Sequence, residues 1–279
     1  MSGTHALVIE GGGMKAAYAN GVLSAFEEAG HRGFDALYGT SAGGALAAWF
    51  AAKQAVYAEG TWPYADDRRI VNYTRFFTRR GPLLDHEALL DIVYLDEHPL
   101  DVRAVQRHPA PVIVTASDVE SGTPHYQDLR VTDVIPWLKA TGRLPAASGP
   151  PVIIGGRRFL DGGLTDPIPV RRAAAEGHTR ITLILNTPLG APRADNALVT
   201  SLTARRWPAL RDGIVRHQEI KREAIAWAES PPAGVQVSII RPLAKTGLHR
   251  LSRDVDAIQA AIRQGREDGA RHLRHLAWG

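Results

Sequence analysis

Twice within the first 55 residues, a short apolar run breaks into glycines and then into a pattern of helical spacing. Residues 5–9 lead through Glu10 into Gly11-Gly12-Gly13. In the stretch that follows, Ala16, Ala19, Val22, Leu23 and Phe26 recur on one helix face, with Gly30 placed to cap its end. Residues 34–38 lead in the same way into Gly39-Thr40-Ser41-Ala42-Gly43-Gly44 and then into the alanine-rich ALAAWFAAKQ. Further apolar runs at 111–116, 151–154, 181–185 and 235–240 are mostly continuous rather than alternating, as strands buried on both faces are. Helical patterns lie between them, so the expected fold is a three-layer α/β/α sandwich around a mostly parallel sheet.

With 279 residues, 44% of them apolar, the chain has material for a substantial core. No repeat, low-complexity linker or composition break divides it, so 1–279 reads as a single domain. Residues 57–110, rich in Tyr, Arg, Asp and His, carry no strand signal and read as a helical insertion able to form a lid. Residues 241–279 read as a helical tail, with one amphipathic helix or two across 252–278. Trp62 and Trp137 are expected as core or lid anchors.

The absence of cysteine excludes disulfides, thiolate-bound metals and thiol catalysis. The eleven histidines show no H-E-x-x-H or comparable spacing, so no metal and no organic cofactor are expected. A net charge of +4 without a dense basic stripe argues against nucleic acid. Neither a signal-peptide pattern nor a membrane-length apolar run is present, and the expected location is cytoplasmic. The basic segment 201–224 holds Arg205, Arg206, Trp207, Arg211, Arg216, Lys221 and Arg222. It reads either as a solvated helix face or as a peripheral contact with anionic lipid headgroups.

Three motifs carry chemistry. Gly39-Thr40-Ser41-Ala42-Gly43 fits a nucleophile elbow, where a serine sits on a strained turn between strand and helix. There the Ala42 amide and the helix N-terminus face any negative charge that develops on a substrate oxygen. Gly11-Gly12-Gly13-Met14-Lys15 leaves backbone N–H groups unshielded, which suits an oxyanion loop; the dinucleotide alternative lacks its acidic residue after the second strand. The third motif, Asp161-Gly162-Gly163, follows apolar Phe159 and Leu160 and runs on into Asp166-Pro167-Ile168-Pro169. A carboxylate in such surroundings gains proton affinity and can serve a serine as base.

In this order the three motifs resemble those of the patatin-like phospholipases and acylhydrolases, in a bacterial branch. The resemblance covers residues 5–53 and 144–171 and extends to the tail sequence RPLAKTGLHRLSRDVDAIQAAIRQGREDG. It implies the three-layer patatin fold and a Ser41–Asp161 dyad that cleaves carboxylic esters of lipids through an acyl-enzyme. It further implies an oxyanion hole drawn from Gly11, Gly12, Gly13, Met14 and Lys15, with amides of Gly12, Gly13 and Met14 as donors. Two positions depart from the family pattern: Ala16 stands where a glycine is usual, and Lys15 supplies a point charge in place of a planar arginine fork. Two alternatives stay open at this level. His249, after the last apolar run, is available to a Ser-His-Asp triad. A lipid- or acyl-binding protein without turnover would keep the same fold.

Overall fold

In the computed structural model, residues 3–78, 80–145, 147–188, 204–244 and 246–277 are described. The six apolar runs all become strands: β1 (Thr4–Ile9), β2 (Ala36–Thr40), β3 (Val112–Asp118), β5 (Val152–Ile154), β7 (His178–Ile184) and β8 (Gln236–Ile240). Two further strands, β4 (Pro124–Asp128) and β6 (Arg157–Asp161), lie in stretches whose sequence shows no continuous apolar run. β4 is half-buried along its whole length, and β6 begins with exposed Arg157 and Arg158, so neither carries the mark of a doubly covered strand.

The sheet runs β5-β6-β3-β2-β1-β7-β8, with β4 also paired to β3. From β3 through β8 all pairings on this path are parallel, while β4, β5 and β6 join antiparallel. A mostly parallel sheet flanked by helices is therefore the architecture. Alternate side chains of the central strands feed two cores. Leu7, Ile9, Leu37, Val112 and Val114 face one side, where they meet α1 (Ala17–Glu28), α2 (Ala42–Ala51), α3 (Val134–Thr141) and α6 (Val255–Ala277). Ala6, Val8, Tyr38, Ile181 and Leu183 face the other, against α4 (Val170–Ala175) and α5 (His217–Glu229).

The tail is one helix, α6, of 23 residues. It packs along α1, and Tyr18 there donates to Asp268 at 2.8 Å. The insertion consists of one- and two-turn pieces: helices Ala55–Ala58, Tyr73–Phe77, His86–Ala88 and Val102–Gln106, a 3₁₀ stretch Glu59–Asp66 and a π-helical stretch Leu89–Glu97. Trp137 is buried against Phe159, their rings 4.9 Å apart, and Trp62 donates from Nε1 to Asn20 at 2.6 Å. No described helix is long and apolar enough to cross a membrane. Residues 201–203 of the basic segment lie outside the described residues.

One detail of register places the chemistry. Thr40, the last residue of β2, pairs with Thr115 of β3, and Asp161, the last residue of β6, pairs with the next one, Ala116. Two strands running in opposite directions thus end at adjacent positions of a third.

Candidate active site

Ser41 follows directly on β2 with φ 56° and ψ −128°, a conformation that an L-residue adopts only under constraint. The constraint is close backbone packing. A Cβ on Gly39 would lie 2.3 Å from the Gly43 carbonyl oxygen, and one on Gly43 would lie 2.5 Å from that of Ile9. Strand, turn and helix can therefore meet only where both residues are glycine. The turn is held further by Thr141, which accepts the Ser41 N–H at 2.8 Å and donates its own hydroxyl to the Thr115 carbonyl at 2.5 Å.

The Ser41 hydroxyl donates to Asp161 Oδ2 at 2.7 Å, joining residues 120 positions apart. Asp161 Oδ1 accepts the Gly163 N–H at 2.7 Å, and the Asp161 backbone is pinned by the Arg143 carbonyl at 2.8 Å and the Ser117 hydroxyl at 2.7 Å. The residue is only 4% exposed. Burial pushes its carboxyl above the ordinary range, opposed by the hydrogen bonds from Ser41 and Gly163 and by the charge of Arg250. A base with raised proton affinity, hydrogen-bonded to a serine on a strained turn, is the arrangement that makes an alcohol nucleophilic.

The glycine loop lies beside it, between β1 and α1. The Gly11 N–H donates to the Pro167 carbonyl at 3.3 Å, that of Met14 to the Arg250 carbonyl at 3.1 Å, and that of Lys15 to the Gly12 carbonyl at 3.3 Å. Among the described residues no acceptor is seen for the amides of Gly12 and Gly13. Gly13 has φ +56°, and a Cβ there would lie 2.4 Å from the Arg250 carbonyl oxygen, so the loop closes against the C-terminal segment only with glycine. Burial, then the neighbouring charges of Lys221 and Arg250, lower the proton affinity of half-buried Lys15. Lys221 itself pairs with Glu10.

A cavity of about 100 Å³ opens from Ser41 and is walled by apolar side chains, among them Met14, Ile70, Leu84, Leu89, Leu90 and Leu138. His86 is part of this wall. Its burial lowers the pKa to about 3, so it contributes a neutral ring.

A model of the patatin-like phospholipases matches residues 7–174, which include the glycine loop, the elbow and the Asp161 motif. The chain belongs to the patatin-like phospholipase family. It is also 26% identical over 271 residues to the uncharacterized protein YjjU of Escherichia coli (strain K12), covering 95% of this chain and 75% of that one. In structure it is similar to VipD from Legionella pneumophila, at a TM-score of 0.50 and 12% identity, over 99% of this chain and 67% of that one. The second likeness bears on the fold alone. Membership in the patatin-like family implies a lipid acyl hydrolase.

Within this patatin-like site, His249 is exposed, and its Nδ1 accepts the Leu251 N–H at 3.3 Å. Among the described residues it makes no hydrogen bond to Ser41 or Asp161. A different histidine stands near the base. His217 donates from Nδ1 to the Gly163 carbonyl at 2.8 Å, which leaves Nε2 to accept from the Arg250 guanidinium. Arg250 is thereby linked through His217 to the glycine whose amide holds Asp161. Sequence reasoning missed Thr141, His217 and Arg250: each enters from a distant element, and although Arg250 lies in the tail sequence that resembles the family, nothing local marks it for the site.

Proposed function

We propose that this patatin-like protein is a serine hydrolase of lipid carboxylic esters that works through a Ser41–Asp161 dyad without a histidine. Ser41 Oγ attacks the ester carbonyl while its proton passes to Asp161 Oδ2. The oxyanion is held by the Gly12 and Gly13 amides and by the N-terminus of α2 at Ala42. Of the five loop residues Gly11 to Lys15, these two keep their amides available, since those of Gly11, Met14 and Lys15 are spent on carbonyls. Collapse of the tetrahedral intermediate expels the alcohol, which takes the proton back from Asp161 and leaves an acyl group on Ser41. Water then attacks the acyl-enzyme with Asp161 again as base, releasing the carboxylic acid. The apolar cavity from Met14 to Leu138 suits the acyl chain. Metal and organic cofactor have no part in these steps.

The observation that carries this reading is the 2.7 Å hydrogen bond from Ser41 to a buried carboxylate whose proton affinity burial raises. A fluorophosphonate probe should label the wild type on Ser41 and leave Ser41→Ala unlabelled. Hydrolysis of p-nitrophenyl esters should fall by about 10⁴- to 10⁶-fold in that variant. Labelling that persists in Ser41→Ala, or a wild type without turnover on any ester of a lipid panel, overturns the proposal.

A further inference from the structure

The insertion leaves the cavity wall at Val71 and returns to it at Leu84, and these two residues bridge to each other. The base is tied on both sides: the Asn72 N–H donates to Leu83 at 2.9 Å and that of Asp85 to Ile70 at 2.7 Å. Ile70 and Leu84 line the cavity that opens from Ser41. Between them, helix Tyr73–Phe77 has no buried residue. Tyr73 is 38% exposed, Phe76 36% and Phe77 77%, and the two phenylalanine rings touch edge to face. The described arginines from 68 to 80 divide into two kinds. Arg69 pairs with Asp67 and Glu97, and Arg75 with Asp85, whereas exposed Arg68 and Arg80 pair with no carboxylate among the described residues.

We propose that this excursion is a membrane-docking finger: Tyr73, Phe76 and Phe77 enter the interface of an anionic bilayer while Arg68 and Arg80 hold its headgroups. The proposal rests on the lipid-ester reading above and names where such a substrate would be met. Aromatic side chains favour the interface between water and acyl chains, and arginines beside them select an anionic surface. A five-residue helix offers far less than the roughly 800 Å² per partner of a stable protein interface, so a second protein is the poorer fit. The finger is continuous at its base with the cavity wall, which sets the bilayer contact next to the entrance for an acyl chain.

This assignment differs from the one the basic sequence 201–224 invites. Trp207 is half-buried and packs with Leu210, Val119 and Leu160, with the Arg206 guanidinium over its ring at 5.4 Å. Its indole is therefore committed to the protein.

The test is sedimentation with vesicles of equal parts phosphatidylglycerol and phosphatidylcholine, and with phosphatidylcholine vesicles alone. Wild type should bind the anionic vesicles at low salt and release as salt rises. Phe76→Ser with Phe77→Ser, and separately Arg68→Glu with Arg80→Glu, should each weaken binding by about tenfold or more. Hydrolysis of a soluble butyrate ester should stay within twofold of wild type, which also shows that the variants fold. Phe77→Trp should shift its emission to the blue on vesicle addition. The proposal is overturned by wild type that ignores anionic vesicles, by finger variants that bind as wild type does, or by binding lost instead through Arg206→Glu with Arg211→Glu. A change from dimer to monomer in the serine variants would assign the aromatics to a second copy and equally overturn it. Vesicle binding is read without turnover, so failure of the hydrolase reading remains a separate result.

Discussion

Residues 4–51 and residues 55–110 border the same cavity and are built on opposite terms. In the first region β1, β2 and their helices are almost wholly buried, and backbone meets backbone so closely that Gly39 and Gly43 leave no room for a methyl group. In the second, short helices are capped locally by Asn72, Asp85 and Asp101; Leu90, Leu100 and Val105 reach the main core, while Ile70, Val71, Leu83, Leu84 and Val93 form a small cluster of their own. Ser41 stands on the region where backbone contacts are this close. The cavity wall from Ile70 to Leu90 and the exposed aromatics stand on the region of short, locally capped helices.

After Ser41→Ala itself, the largest effect on the first region is expected from loss of the carboxylate to which Ser41 is hydrogen-bonded. Asp161→Asn should reduce kcat/KM for a soluble ester by about 10² to 10⁴. In the wild type the acidic limb of the rate profile should lie above the ordinary carboxylate range, because burial raises the Asp161 pKa and turnover needs it ionised. The same shift runs against stability. A carboxyl with a raised pKa in the fold binds its proton more tightly there than in the unfolded chain, so its contribution to stability falls as pH rises through that pKa. Asp161→Asn should remove this fall, which urea unfolding as a function of pH would detect. A limb in the ordinary range, or one that follows His249→Ala instead, would break the assignment.

A smaller effect is expected one layer back. Thr141→Val removes the acceptor of the half-buried Ser41 N–H and the donor to the buried Thr115 carbonyl. About 1–3 kcal/mol of stability should be lost with the buried partner groups, and kcat/KM should drop about tenfold as the elbow loosens. Denaturant titration and steady-state rates on one preparation check both.

The smallest effect tests the second region. Leu89 belongs to the π-helical stretch and lines the cavity. Leu89→Trp should lower kcat/KM for decanoyl esters about fourfold, the burial of roughly one methylene, while butyryl esters and the melting temperature change little. Equal losses on short and long esters would mean that the insertion and the elbow are not separate in function.

Much of this molecule was legible before its structure. The central strands, buried on both faces, identify themselves by continuous hydrophobicity, β5 and β8 by apolar runs although they stay partly open, and the elbow by two glycines at the spacing that backbone contact demands. β4 and β6 escaped because strands with one open side or exposed ends mix polar and apolar residues without a clear period. The short pieces between Ala55 and Gln106 escaped in detail because helices of a turn or two are too brief for a 3.6-residue pattern to emerge. Met14 and Lys15 show a similar limit: the loop was evident, yet which of its amides stay available depends on the Arg250 and Gly12 carbonyls that face them.

The sequence by itself therefore determined the layered α/β architecture, the strained serine and the apolar setting of Asp161, since each follows from residues within a few positions of one another. Tertiary structure alone decided that Thr40 and Asp161 end against adjacent residues of β3, which brings the Ser41 hydroxyl within hydrogen-bond reach of the Asp161 carboxylate. It also decided that Thr141 braces the elbow and that His217 and Arg250 back the glycine that holds the carboxylate. Those choices lie in strand register and helix docking, where side chains up to 120 positions apart meet. Local periodicity carries no trace of them, because the free energy that sets register comes from the whole buried face at once.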